Sequence, residues 1–288
     1  MMELSGEAVV EVVTMIFALS TMFSMGVQLS PNQLVNVLRK RRLLAKSLTV
    51  NLVAVPLVAY LLVQTVSLGT GFAAGLVLLA VSPGAPFGPK LAEVSDSDVA
   101  FASGLMAVLC VLSVVTIPIS LLLLLPGDVV VDPVAIGRIV LGIQLVPLLL
   151  GLGMSILLPT LTDHLSSPVQ RVSDYTFVGL IVLLFVVYSD SMISLVGTDT
   201  LWLSAVVVGA SLLLGYGLGG PARGTREVLA TTTAARNAAI ALFIATTGFS
   251  DPSVLTTVLA FSSIGVVGSG LVASVWRQRS VGTAPSHG

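Results

Sequence analysis

Charge is what this chain lacks most. Only 9% of its 288 residues are Asp, Glu, Lys or Arg, against roughly 25% in a soluble domain. A water-facing surface of ordinary size cannot be built from so few. Cysteine occurs once, at Cys110, which excludes an intrachain disulfide and a cysteine metal cluster. Inside an apolar run that thiol reads as a small core hydrophobe. The two histidines are too few for a histidine metal centre, and His164 sits in a polar stretch that reads as a loop. No metal or cofactor is expected. Neither sign of charge dominates: the net charge is −1, which leaves no basic surface for nucleic acid. Intramembrane hydrolysis needs paired mid-span aspartates, a Ser/His pair or a metal-binding cluster. Asp128, Asp132 and Asp190 fall at the ends of apolar runs, so no enzyme is expected.

What is abundant is apolar: 55% of residues are hydrophobic and the mean hydropathy is +1.05. The chain reads as an all-α integral membrane protein in a lipid bilayer. Runs of about 20 apolar residues fall near 8–28, 44–66, 71–94, 98–125, 133–159, 172–195, 200–220, 226–248 and 252–276, which predicts nine transmembrane helices. Glu3 and Glu7 precede the first run and no basic segment does, so that run is read as a span rather than a cleaved leader. Turn signals separate the runs, among them Pro126-Gly127-Asp128 and Ser166-Ser167-Pro168.

Basic residues set the orientation. Arg39, Lys40, Arg41, Arg42 and Lys46 follow the first span. Alternation then puts Arg171, Arg223, Arg226, Arg277 and Arg279 on the same side. The opposite loops carry Asp128, Asp132, Asp190, Asp199 and Asp251. A multi-pass protein of the cell inner (plasma) membrane, N-terminus outside and C-terminus cytoplasmic, is expected.

Two of the nine spans carry a break. In the third, Pro83, Pro86 and Pro89 each remove a backbone donor, while Gly84 and Gly88 relax φ. Freed backbone groups in hydrocarbon must be received by protein or a wet cavity, and a new half-helix N-terminus favours anionic groups. Lys90 follows this break. In the eighth span the signal is Thr231-Thr232-Thr233, poor helix formers, followed by Arg236-Asn237. Counted from Thr225, Arg236 is about 11 residues in, or about 16 Å. Snorkelling does not cover that depth, and an ionisable residue there is a functional candidate by default. The two breaks run in opposite directions, which suggests an inverted repeat with two crossed broken helices. Asn51, before Pro56 in the second span, is read as interhelical glue or a ligand. Gln28, Gln64 and Gln144 are read as structural. The small-xxx-small pairs Gly71/Gly75 and Gly215/Gly219 are read as close helix contacts, and Asp96 and Asp98 as helix caps.

Met25-Gly26-Val27-Gln28-Leu29-Ser30-Pro31, Ser82-Pro83-Gly84-Ala85, Ala235-Arg236-Asn237-Ala238-Ala239-Ile240-Ala241 and Phe249-Ser250-Asp251-Pro252 come in this order within a nine-span frame. In these segments the chain resembles the bile acid:sodium symporter superfamily. The resemblance implies a core domain, about 44–125 and 200–276, and a panel domain, about 8–28 and 133–195. It implies alternating access for organic anions such as bile acids, steroid conjugates, pantoate or pyruvate-like acids.

Departures from that family are specific. By the resemblance, a sodium-binding carboxylate is replaced by Thr232, and hydroxyl and amide ligands by Gly88 and Pro89. A second-site glutamine becomes Arg236, further ligands become Ala102 and Met106, and Asn51 keeps an amide. The expectation is a transporter of a small organic anion in which the fixed cations Arg236 and Lys90 replace the usual sodium ions. Coupling is then absent or uses a proton, with Lys90 as the titrating group. The candidate substrate-binding residues are Arg236, Asn237, Lys90, Ser82, Gly84, Ala85, Thr232, Thr233 and Asn51. The alternatives are a sodium-coupled organic-anion symporter with relocated sites, or an inorganic oxyanion exporter.

Overall fold

The computed structural model describes residues 6–125 and 129–282. The expected turn at Pro126-Gly127-Asp128 and the N-terminal Glu3 lie outside the described residues. Every regular element among the described residues is helical. In chain order they are α1 (Gly6–Gln28), α2 (Pro31–Arg39), α3 (Arg41–Thr65), α4 (Thr70–Ala80), α5 (Gly88–Val94), α6 (Val99–Leu124), α7 (Pro133–Leu157), α8 (Pro159–Val187), α9 (Ser189–Val196), α10 (Thr200–Leu218), α11 (Arg223–Ala235), α12 (Ala238–Gly248) and α13 (Pro252–Gly282).

Among the described residues, seven segments are long and apolar enough to cross a membrane: α1, α3, α6, α7, α10, α11 with α12, and α13. Nine were expected. The difference lies in two places. α4 is apolar but has only 11 residues before the first break. The expected span at 172–195 is divided, since α8 ends at Val187 and α9 begins at Ser189. The expected turn at Ser166-Ser167-Pro168 is not there, because α8 runs through Pro168. His164 is therefore helical rather than in a loop, with its ring Nδ1 2.7 Å from the Thr160 carbonyl oxygen.

Helix contacts are densest in two groups, which also touch where α12 meets α1 and α6 meets α7. α1 lies along α7 and α8, whereas α10, α11, α13 and α4 pack on one another. Close approach is made by glycine. A Cβ on Gly26 would strike the carbonyl oxygen of Leu148, and one on Gly151 the carbonyl oxygen of Phe23, so α1 and α7 touch backbone to backbone. Gly215 packs in the same way on α11, at the Leu229 carbonyl oxygen, and Gly75 on α13, at Thr257 and the Val254 carbonyl oxygen. The α11–α12 span is the most enclosed of the seven, buried without interruption from residue 227 to residue 245.

α3 and α7 each contain a π-helical turn, at Val50–Ala54 and Val140–Leu145. Each is followed by a proline, Pro56 or Pro147. A proline cannot donate to the carbonyl four residues back, and a wider turn gives that carbonyl room. Each π turn also holds one buried carboxamide, Asn51 or Gln144. Single π turns of this kind often mark functional positions.

On the side rich in basic residues, Asp98 caps α6 by accepting from the Phe101 N–H at 2.8 Å and pairs with Lys40 at 3.1 Å. Asp96 caps nothing. It sits in the turn before α6 with φ 55°. Glu227 is buried at the start of α11, where it accepts from Ser97 Oγ at 2.7 Å and Arg223 Nε at 2.6 Å.

Candidate functional site

Helix α4 ends at Ala80, and α5 begins at Gly88. The chain between them is buried, with Ser82, Gly84 and Ala85 shielded from solvent. Gly84 takes φ 91°, a left-handed value that suits glycine. A Cβ there would also come 2.9 Å from Cys110 Sγ, so the turn presses directly on α6. Ser82 turns its hydroxyl back to the Leu78 carbonyl, 2.7 Å away, which satisfies one acceptor freed by the break.

α11 ends at Ala235 and α12 begins at Ala238. The triple threonine does not make this break. Thr231 and Thr232 are helical and donate to the carbonyls of Glu227 and Val228 at 2.9 and 2.6 Å, so their hydroxyls feed the helix that was expected to fail. The interruption falls on Arg236, at φ 49° and ψ 173°, a conformation L-residues rarely adopt. Such strain costs on the order of 1–3 kcal/mol and persists only where the surroundings enforce it. Asn237 then caps α12, accepting from the Ile240 N–H at 3.3 Å.

The two breaks touch. The Asn237 N–H donates to the Ser82 carbonyl oxygen at 2.9 Å. Each freed group thus becomes the other's partner, which answers the cost of broken backbone in a low-dielectric interior.

Two carboxamides complete the junction. From α3, Asn51 donates its Nδ2 to Thr233 Oγ1 at 3.1 Å and to the Ser47 carbonyl at 3.0 Å. Arg236 Nη1 donates to the Asn51 carbonyl oxygen at 3.0 Å and lies 3.4 Å from its Oδ1. From α7, Gln144 accepts from Asn237 Nδ2 at 2.8 Å and donates to the Cys110 carbonyl at 2.9 Å and to Ser113 Oγ. Sequence reading placed Asn51 between glue and ligand and took Gln144 as structural. The proline a short way after each is the one local hint that they belong together.

Arg236 is only 1% exposed. Its Nε and Nη2 make no hydrogen bond, and no carboxylate among the described residues lies within ion-pair distance. A buried guanidinium half-satisfied by neutral oxygens is an unusual resting arrangement. Replacing Thr233 by Val removes one of the two acceptors of Asn51 Nδ2. The expected cost is about 1 kcal/mol, read as a lower melting temperature of the purified protein.

Lys90 does not join this group. It is exposed and paired with Glu93 one turn on, at 2.7 Å. It lines a cavity of 450 Å³ with Thr21, Gln28, Pro86, Phe87 and Asp174. A second cavity, of 430 Å³, lies toward the other end of α1, lined by Glu11, Tyr188, Ala245, Thr246 and Asp251. The two differ in depth. The first reaches Pro86 and Phe87, in the first break itself. The second stops at Ala245, about 10 Å along α12 from its start at 1.5 Å per residue.

The chain matches the model of the sodium bile acid symporter family over residues 15–198. It belongs to that family. Members of the sodium bile acid symporter family are transporters, and a multi-pass membrane transporter of a small solute fits the apolar helices described above. No curated protein matches the chain. The family match ends before α11, so membership does not rest on the segment around Arg236.

The positions where the resemblance puts sodium ligands can now be located. Gly88, Met106 and Thr232 meet: a Cβ on Gly88 would stand 2.9 Å from both Met106 Cγ and Thr232 Cγ2. What faces inward there is a thioether and methyl groups. The one hydroxyl, of Thr232, is already donated to Val228. Ala102 is buried on α6 and offers no oxygen from its side chain. At the second position, Asn51 faces the guanidinium of Arg236.

Proposed function

We propose that this member of the family carries a small organic anion across the membrane by alternating access without sodium coupling, with Arg236 as a fixed cation in place of the coupling ion. One observation carries the reading. A buried guanidinium occupies the junction of the two breaks and is held by neutral oxygens alone. Sodium needs several converging oxygens at 2–3 Å, preferably with one anionic, and the corresponding side chains supply almost none. A fixed positive charge beside a second site repels a cation and attracts an anion.

In this reading nine crossings are counted by pairing α4 with α5 and including α8, with the N-terminus outside and the C-terminus in the cytoplasm. The oppositely directed breaks form an inverted repeat. α1, α7 and α8 are the panel, and the remaining spans are the core. The cavity beside Lys90 is the cytoplasmic vestibule, open in this conformation, and the shallower one is its outer counterpart. The substrate's anionic group lies against the break segments Ser82–Ala85 and Thr232–Asn237. Lys90 is assigned to the vestibule mouth, where its charge is offset by Glu93. It is not a second substitute for sodium.

The test is uptake of labelled organic acids, pyruvate and a bile acid among them, into proteoliposomes. Acids are first chosen by thermal shift of the purified protein. Uptake should be the same with an inward sodium gradient and with sodium replaced by potassium on both sides. Strict dependence on sodium would overturn the fixed-cation reading and leave an ordinary sodium symporter of this family.

A further inference from the structure

We infer that Gln144 is a positioning residue that latches the crossing to the panel and holds the conformation in which the cytoplasmic vestibule is open. The inference rests on the transporter reading above and goes beyond it by naming the contact that must break when the two helix sets move.

Gln144 belongs to α7, which the reading above puts in the panel and which packs on both α1 and α6, and its carboxamide is spent on the core. Nε2 donates to the Cys110 carbonyl and to Ser113 Oγ, both on α6, and Oε1 accepts from Asn237 at the second break. Asn237 in turn binds Ser82 of the first break through its backbone. One side chain of the panel therefore reaches α6 directly and both breaks through Asn237. Gln144, Ser113 and Asn237 are all buried, at no more than 1% exposure, so no water competes for these bonds. The π turn at Val140–Leu145 sets where this carboxamide projects from α7.

A movement of the core past the panel cannot preserve all of these bonds, because their donors and acceptors sit on both bodies. They are intact in a conformation whose deeper cavity is on the Lys90 side. The latch thus stabilises that conformation relative to the outward-open one. Asn51 is the contrasting case. It makes similar bonds from α3, within the core, so it travels with Arg236 and need not release.

The experiment compares accessibility from the two sides. Single cysteines replace Ser103, which lines the cytoplasmic vestibule, and Ala241, buried one turn deeper than Ala245 on the same face of α12. Both are made in a Cys110→Ala background, and labelling by a maleimide is timed in proteoliposomes. With Gln144→Leu, labelling at Ala241→Cys should rise and that at Ser103→Cys fall, changing their ratio by about tenfold, as expected for roughly one or two lost buried hydrogen bonds. Ser113→Ala, which removes one partner and leaves the carboxamide in place, should shift the ratio in the same direction by less. It serves alone if Gln144→Leu does not fold. An unchanged ratio in the folded variants, with only a lower melting temperature, overturns the latch and leaves Gln144 a stabilising residue. Failure of the transporter reading is seen separately, as absence of uptake by the protein with Gln144 intact.

Discussion

Arg236→Gln is expected to lower organic-anion uptake at least about a hundredfold while the protein still inserts and folds. Glutamine can reach the Asn51 carbonyl with its amide, so the junction of the breaks keeps a donor at that point. What it loses is the positive charge and the Nε and Nη2 donors, which have no partner among the described residues. A hundredfold loss corresponds to about 2.7 kcal/mol, within the range of charge-assisted hydrogen bonds in a low-dielectric site. Arg236→Lys separates the two contributions, since it keeps the charge but not the planar fork, and should retain part of the activity. Relief of an unpaired buried charge should leave Arg236→Gln at least as heat-stable as the parent protein, because an ionised group in such a site is costly. Normal uptake by the glutamine variant would sink the assignment. A melting temperature well below the parent's would show that Arg236 mainly holds the fold.

Gly26→Ala is expected to be the most damaging small substitution, with a loss of about 3 kcal/mol or more. The new methyl would enter the carbonyl oxygen of Leu148, and backbone on both sides leaves no rotamer to move. Gly151, facing Phe23 and Gly26 from the other helix, shares the same contact. α1 and α7 would have to separate, and dispersion contacts along the seam would go with them. Gly153→Ala on α7 is the control, since no atom lies within 4 Å of its added Cβ. Thermal unfolding in detergent should show Gly26→Ala melting well below the parent and Gly153→Ala at or above it, since alanine is the better helix former. Equal melting of the two variants would contradict the backbone contact between α1 and α7.

Much of the helical frame was legible. Membrane embedding follows from scarce charge and long apolar runs, because each has only one cheap environment. The proline-rich interruption at 83–89 is a local matter of missing N–H groups, so it too could be read in one dimension. The second interruption was read from two signals, and only the Arg236-Asn237 pair marks it. Three threonines suggested a helix failing early, but the hydroxyls of Thr231 and Thr232 bond back to the preceding turn, and the helix gives way only at Arg236. α8 was misjudged in a related way. Ser166-Ser167-Pro168 has turn composition, yet the helix passes through it. Lys90 was drawn toward the crossing by its nearness in sequence, whereas Glu93, one turn on, is close enough to keep it at the surface.

By itself the sequence determined an all-helical membrane protein of the sodium bile acid symporter family, with one cation, Arg236, deep in its eighth apolar run. These are matters of composition, order and depth, which chain position alone encodes. Only the tertiary structure decided which groups meet that cation. Asn51 and the Gln144 carboxamide lie 185 and 93 residues from their partners Arg236 and Asn237, and hydrogen bonds between such distant positions depend on how π turns aim the side chains and how glycines let the helices close.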